Sequence, residues 1–163
     1  MTDDATAALV REVTRELVAE VAPQELLLYP GISAAYFKHP ARPLQTKAGR
    51  EELLGFGAEA AVMLMTPALL AAVTSVVKYL LTQVEQSAAK EGSAVIESQV
   101  RALFTRFRTA EPAAAKARPT LSPEQLSHIR QLAYEEACAD GLDAAKAGVL
   151  ADSIIGKLAI SPA

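Results

Sequence analysis

A run of 18 residues without charge, from Ala60 to Val77, constrains this chain more than any other feature. Its sequence, AAVMLMTPALLAAVTSVV, contains only Thr66, Thr74 and Ser75 as polar residues. As a helix it would span roughly 27 Å, close to the roughly 30 Å hydrocarbon thickness of a bilayer. The run therefore indicates either a membrane-spanning helix or the central buried helix of a soluble helical protein.

Composition favours an all-α fold. Hydrophobic residues make up 51% of the 163 residues but aromatic residues only 5%, so the apolar side chains are mainly alanine, leucine and valine, which suit closely packed helices. We expect a helical domain over residues 1–108 that is built on the long apolar helix. A Pro- and Ala-rich linker over 109–121 and a C-terminal helical hairpin over 122–163 follow it.

Charge and cysteine content restrict the environment and the partners. The net charge of −3 gives no global positive field, so nucleic acid is not expected as a partner. One cysteine, Cys138, is typical of a chain in a reducing compartment. The first residues, MTDDATAALVRE, are acidic and do not predict a cleaved signal peptide. We expect the chain in the cytoplasm or at the inner side of the cell membrane.

The first 50 residues predict one clear helix. Apolar residues recur at three- and four-residue steps over 3–22, with charged residues between them, and Pro23 ends the pattern. In the stretch that follows, Pro30 and Gly31 indicate a turn. We expect at most one short helix there, over 33–38.

The apolar run predicts a long helix over 58–90, with a bend near residues 63–67 caused by Pro67. One narrow face of this helix carries small and polar residues, which are Pro67, Ala71, Thr74, Lys78 and Thr82. In a membrane such a face would be the seam at which helices pack closely, because small residues let backbones approach. In a soluble domain the same face would contact water.

A second amphipathic helix is predicted over 94–108. Its positive charges, Arg101, Arg106 and Arg108, suit the surface of an anionic membrane if the preceding helix spans the bilayer. The alternative is a surface helix of a soluble bundle with arginine at its C-terminal end, where the helix dipole favours positive charge.

The C-terminal hairpin has strong local signals. Ser122, Pro123 and Gln125 predict a capped helix start, Gly141 predicts a left-handed helix end, and Asp143 predicts the start of the last helix. A hairpin of roughly 40 residues cannot bury a core alone, so its apolar face must dock on the N-terminal domain, a second copy or a different protein. We predict a partner-binding face made of Leu126, Ile129, Leu150, Ile154 and Leu158.

The sequence predicts no catalytic residue, no cofactor and no metal site. His39, His128 and Cys138 are too few and wrongly spaced for a closed zinc site. The paired acids at 51–52 and 135–136 point about 100° apart on a helix, so they are expected to be solvated. No phosphate-binding loop is present in the sequence.

Two functional hypotheses remain, and neither is an enzyme. The first is a membrane-associated helical protein, an anchor, sensor or membrane-perturbing effector, whose hairpin binds a protein partner. The second is a soluble all-helical adaptor or scaffold that acts through protein–protein contacts, including contacts between copies of itself.

Overall fold

The computed structural model of the chain describes residues 3–38, 64–87, 90, 92–104 and 120–158. Six α-helices form within these residues, and the predicted all-α class is confirmed. They are α1 Asp3–Val21, α2 Tyr29–Lys38, α3 Met65–Ser87, α4 Ser93–Ala102, α5 Pro123–Ala139 and α6 Ala144–Gly156, with a short 3₁₀ turn at Pro23–Glu25. One isolated antiparallel bridge joins Phe104 to Leu158.

Helix α3 lies at the centre of the molecule. It packs against α1, α2, α4 and α5, and α6 packs against α5 and α1. The buried apolar side chains of all these helices form a single continuous core. The division into domains 1–108 and 122–163 stays a prediction, and in this arrangement the hairpin shares the core of the N-terminal helices.

Helix α1 follows from its sequence pattern. The prediction over 3–22 agrees with the observed helix to one residue, and its buried face carries the apolar residues spaced three and four apart. Tyr29, at the start of α2, donates a hydrogen bond from its hydroxyl to the carbonyl of Arg11 at 2.6 Å. The guanidinium of Arg11 lies 4.4 Å from the centre of the Phe37 ring. Both ends of α2 are therefore tied to α1.

Two helix starts differ from the predictions. Helix α2 begins at Tyr29 and includes Pro30 and Gly31, because a proline in the first turn loses no intrahelical hydrogen bond. The described part of the long helix begins at Met65, so Pro67 lies in its first turn and not inside it. The predicted bend at 63–67 is therefore not found in the described part, and residues 58–63 lie outside it.

The second amphipathic helix is shorter than predicted. Helix α4 ends at Ala102, and the backbone N–H groups of Leu103 and Phe104 donate to carbonyls three residues earlier, which tightens the chain. Phe104 then turns into the core and pairs with Leu158. Residues 105–108 of the predicted helix lie outside the described residues.

All three local signals of the hairpin are confirmed. The Ser122 hydroxyl accepts the N–H of Gln125 while the Gln125 side chain accepts the N–H of Ser122, which is a complete capping box. Gly141 adopts a φ of 96°, a conformation that side chains rarely allow. The carboxylate of Asp143 accepts the N–H of Lys146 and caps α6.

Candidate functional site

The apolar helix α3 is the first candidate site, and its large aliphatic side chains are enclosed by the other helices. Its fully buried residues include Leu69, Leu70, Val73, Val76, Val77 and Leu80. Helix α3 is the only described helix that is long and apolar enough to cross a membrane, yet 56% of its most apolar window is buried within the protein. Length and composition alone do not separate a core helix from a spanning one.

The predicted stripe of α3 is covered in part. Pro67 is buried, Ala71 and Thr74 are half-buried, and Lys78 and Thr82 are exposed. The Thr74 hydroxyl donates to the carbonyl of Leu70 at 2.6 Å, and the Thr82 hydroxyl donates to that of Lys78 at 3.0 Å. The N-terminal half of the stripe therefore lies under other helices and the C-terminal half faces solvent. Its role as a seam between membrane helices stays a prediction.

The N-terminus of α3 is held by Glu25, a residue that the sequence did not single out. This carboxylate is 5% exposed. One oxygen, Oε1, accepts the backbone N–H of Thr66 at 2.9 Å and its hydroxyl at 2.8 Å, and Oε2 accepts the N–H of Met65 at 3.0 Å. A carboxylate at a helix N-terminus satisfies otherwise unpaired N–H groups and interacts favourably with the helix dipole. Glu25 thus caps α3 from 40 residues away.

The C-terminal half of α3 makes weaker polar contacts with α5. The amide of Gln125 donates to the amide oxygen of Gln83 at 3.2 Å. The rings of Tyr79 and His128 stack with their centres 4.6 Å apart and their planes tilted by 36°. These two contacts orient the hairpin on α3.

A polar junction joins α2, α3 and the end of α5. The Tyr36 hydroxyl donates to Oγ1 of Thr74 at 3.2 Å. Burial raises the pKa of Tyr36 above its usual value. A hydrogen bond from the Thr74 hydroxyl to the ionised Tyr36 oxygen would lower this pKa, and the nearby Asp140 and Glu136 raise it. Burial, followed by the charge of Glu136, raises the pKa of Asp140 to about 6. Two carboxylates four residues apart at the negative end of a helix dipole repel one another.

Only one of the three predicted interfacial arginines lies among the described residues. Arg101 forms ion pairs with Glu97 on its own helix at 3.5 Å and with Glu12 on α1 at 3.4 Å. Its side chain is 25% exposed, so it serves to join α4 to α1 in this arrangement. Arg106 and Arg108 lie outside the described residues.

The predicted partner-binding face of the hairpin is covered by the chain itself. Ile129, Leu150, Ile154 and Leu158 are at most 2% exposed, and Leu126 is partly buried against the same core. Of the three docking sites that the sequence allowed for this face, the structure shows the N-terminal helices of the same chain. A role of this face in binding a partner stays a prediction and would require it to open.

Few large apolar side chains are exposed on the described surface. Leu27, in the turn that precedes α2, is 93% exposed, and its neighbour Leu28 is 37% exposed. Val149 on the outer face of α6 is 52% exposed. Scattered apolar residues are normal on soluble proteins, but Leu27 projects almost entirely into solvent from a turn that the buried Glu25 anchors.

Side chains that could bind a metal ion do not converge within the part of the chain that the structure describes. His128 stacks on Tyr79, and Cys138 is exposed on α5. Within the described ranges no group of three or more histidine, cysteine, aspartate and glutamate side chains is placed to hold a metal ion. His39 lies outside these ranges.

Comparison with protein-family models, with curated proteins and with solved structures finds no match to this chain.

Proposed function

We propose that this chain is a soluble, non-catalytic all-helical module that acts through protein–protein contacts in the cytoplasm. The observation that carries the proposal is the enclosure of α3. Its aliphatic side chains from Leu69 to Leu80 are buried by helices from both halves of the chain. A helix that its own chain covers needs no lipid to leave water, and burial of this apolar area is itself the main stabilising contribution.

Polar detail on α3 supports the same proposal. Lys78, Thr82 and Glu85 face solvent on one side of the helix, as expected for the water-exposed strip of a central bundle helix. Arg101 is committed to ion pairs with Glu12 and Glu97, which leaves it less available to lipid headgroups. We propose the exposed Leu27 as a contact for a protein partner. Burial of an exposed aliphatic side chain in a pocket of the partner would contribute favourable binding free energy.

Cell fractionation tests the proposal. We expect the protein in the soluble fraction and stable in solution without detergent. Recovery in the membrane fraction with resistance to alkaline carbonate extraction would refute it. Photo-crosslinking from position 27 in cells should give a discrete protein adduct, and the same probe at the exposed Ser127 serves as the control.

A second candidate function is insertion of α3 into a membrane under some condition. The observation that favours it is the length and apolar composition of Met65–Ser87. A protein with two conformations shifts toward the one that a ligand or surface binds better, so a bundled form and an inserted form are compatible in one chain. Binding to phosphatidylcholine vesicles, measured by flotation, tests this candidate.

A further inference from the structure

The contacts that hold α3 in the bundle are of two kinds. Most are apolar contacts made by leucine and valine side chains in the continuous core. Lipid tails are as apolar as leucine, so a bilayer can replace such contacts with little loss. Polar contacts between α3 and the rest of the protein are different, because hydrocarbon offers no partner for them.

Among the polar contacts to α3 described above, those of Glu25 stand apart. Glu25 is charged, 5% exposed, and accepts three hydrogen bonds from Met65 and Thr66 at 2.8 to 3.0 Å. The remaining contacts, from Tyr36 and from Gln125, are single hydrogen bonds between neutral groups at 3.2 Å. Hydrogen bonds to charged groups contribute roughly twice as much as neutral ones.

The position of Glu25 in the chain also distinguishes it from Tyr36 and Gln125. It follows α1 directly in the 3₁₀ turn Pro23–Glu25, so it fixes the N-terminus of α3 to the end of α1. Thr66, which donates two of the three bonds, is fully buried. Movement of α3 out of the bundle would leave both the carboxylate and these donors without their partners.

We infer that Glu25 is a latch that keeps α3 in the bundle and that its release lets α3 enter a lipid bilayer. The latch rests on the second candidate function, insertion of α3, and it explains how the same chain stays soluble while carrying a helix of spanning length. In the latched state the protein is the soluble module proposed above. In the released state α3 exchanges its core neighbours for acyl chains.

Vesicle insertion of variants tests the latch. A fluorophore on α3, attached at Ala71→Cys in a Cys138→Ser background, reports lipid contact when quenchers are carried on the acyl chains of phosphatidylcholine and phosphatidylglycerol vesicles. We expect the protein with Glu25 to remain unquenched. Glu25→Ala should raise the quenched fraction about tenfold or more, which is the effect of losing at least one charge-assisted hydrogen bond, and Glu25→Gln should lie between them.

Two controls separate a latch from a loss of stability or of charge. Glu20→Gln removes a carboxylate that pairs with Lys157 at 2.7 Å and has no hydrogen bond to α3 among those described. Leu150→Ala removes a buried side chain of α6 and lowers stability without changing the contacts of Glu25. Both variants should show the same quenched fraction as the protein with Glu25. Each protein is measured at the same number of degrees below its own unfolding midpoint.

An unchanged quenched fraction in Glu25→Ala, or an equal rise in Leu150→Ala, would overturn the latch and leave the soluble module standing. If Glu25→Ala does not fold, the comparison of Glu25→Gln with Glu20→Gln decides in the same way. If the protein with Glu25 is already inserted, both the latch and the proposed soluble function are wrong.

Discussion

The hydroxyl of Tyr36 donates a hydrogen bond to Oγ1 of Thr74 across the contact between α2 and α3. Thr74 in turn donates to the carbonyl of Leu70 within its own helix. The Tyr36 hydroxyl is therefore the donor in this pair, whereas the Thr74 hydroxyl accepts one hydrogen bond and donates another. This hydrogen bond links α2 directly to the central helix α3.

Removal of this link should reveal a measurable coupling between the two helices. Tyr36→Phe should lower the free energy of unfolding by about 1 kcal/mol, because one neutral hydrogen bond is lost while Thr74 keeps its bond to Leu70. Thr74→Val removes the same link from the other side. In urea unfolding of both single variants and the double variant, we expect a coupling of about 0.5–1.5 kcal/mol. Strictly additive effects would mean that the pair does not interact.

Asp140 should make stability fall as pH rises from about 4 to above 6. Its pKa is raised to about 6, first by burial and then by Glu136, from an ordinary value of 3.8. The folded state therefore holds the proton more tightly than the unfolded state, and losing that proton in this pH range costs stability. The carboxyl is partly solvated, so we expect Asp140→Asn to gain about 1 kcal/mol at pH 7 and little at pH 4.

Urea unfolding of Asp140→Asn and of the parent protein at several pH values checks this prediction. Asp152→Asn is the matched control, because Asp152 is an exposed aspartate paired with Arg130 at 2.8 Å. It should not gain stability at neutral pH. A stability difference between Asp140→Asn and the parent that is the same at pH 4 and pH 7 would contradict the assignment.

Local sequence signals were enough to place helix ends where the chemistry is local. The capping box at Ser122 and Gln125, the left-handed Gly141 and the Asp143 cap each involve residues close in sequence, and each is found. The early end of α4 was not predictable in this way. It depends on the pairing of Phe104 with Leu158, which are far apart in sequence.

The same distinction explains the candidate site. Glu25 gives no local signal, because its hydrogen bonds reach Met65 and Thr66 across 40 and 41 residues and depend on the packing of α1 against α3. The apolar run was predicted as a helix, but periodicity does not reveal whether protein or lipid surrounds it. The buried face of the hairpin was likewise visible as apolar, while its neighbours followed only from the tertiary contacts.

Thr14 should be replaceable by valine with a gain in stability. Its side chain is fully buried on α1, and its Oγ1 has no hydrogen-bond partner among the described residues. A buried hydroxyl without a partner loses its hydration without compensation. Thr14→Val keeps the shape and has a similar helix propensity, so we expect a gain of about 1 kcal/mol in urea unfolding. A loss of stability would show that the hydroxyl is satisfied in solution.

Two neighbouring residues of α6 test whether the hairpin and the N-terminal helices form one cooperative unit. Leu150 is fully buried in the common core, whereas Val149 is 52% exposed on the same helix. Leu150→Ala should lower the free energy of unfolding by about 2–5 kcal/mol, through lost burial and the cavity left behind. Val149→Ala should change it by less than about 0.5 kcal/mol.

Hydrogen exchange then locates the effect of Leu150→Ala. Because α6 packs on α1 and α5, and α5 packs on α3, loss of Leu150 should reduce protection in α1 and α3 as well as in the hairpin. If protection fell only in α5 and α6, the hairpin would open as a separate unit. Its face at Ile129 and Ile154 would then be available to a partner, as the sequence predicted, at the cost of exposing the core side of α3.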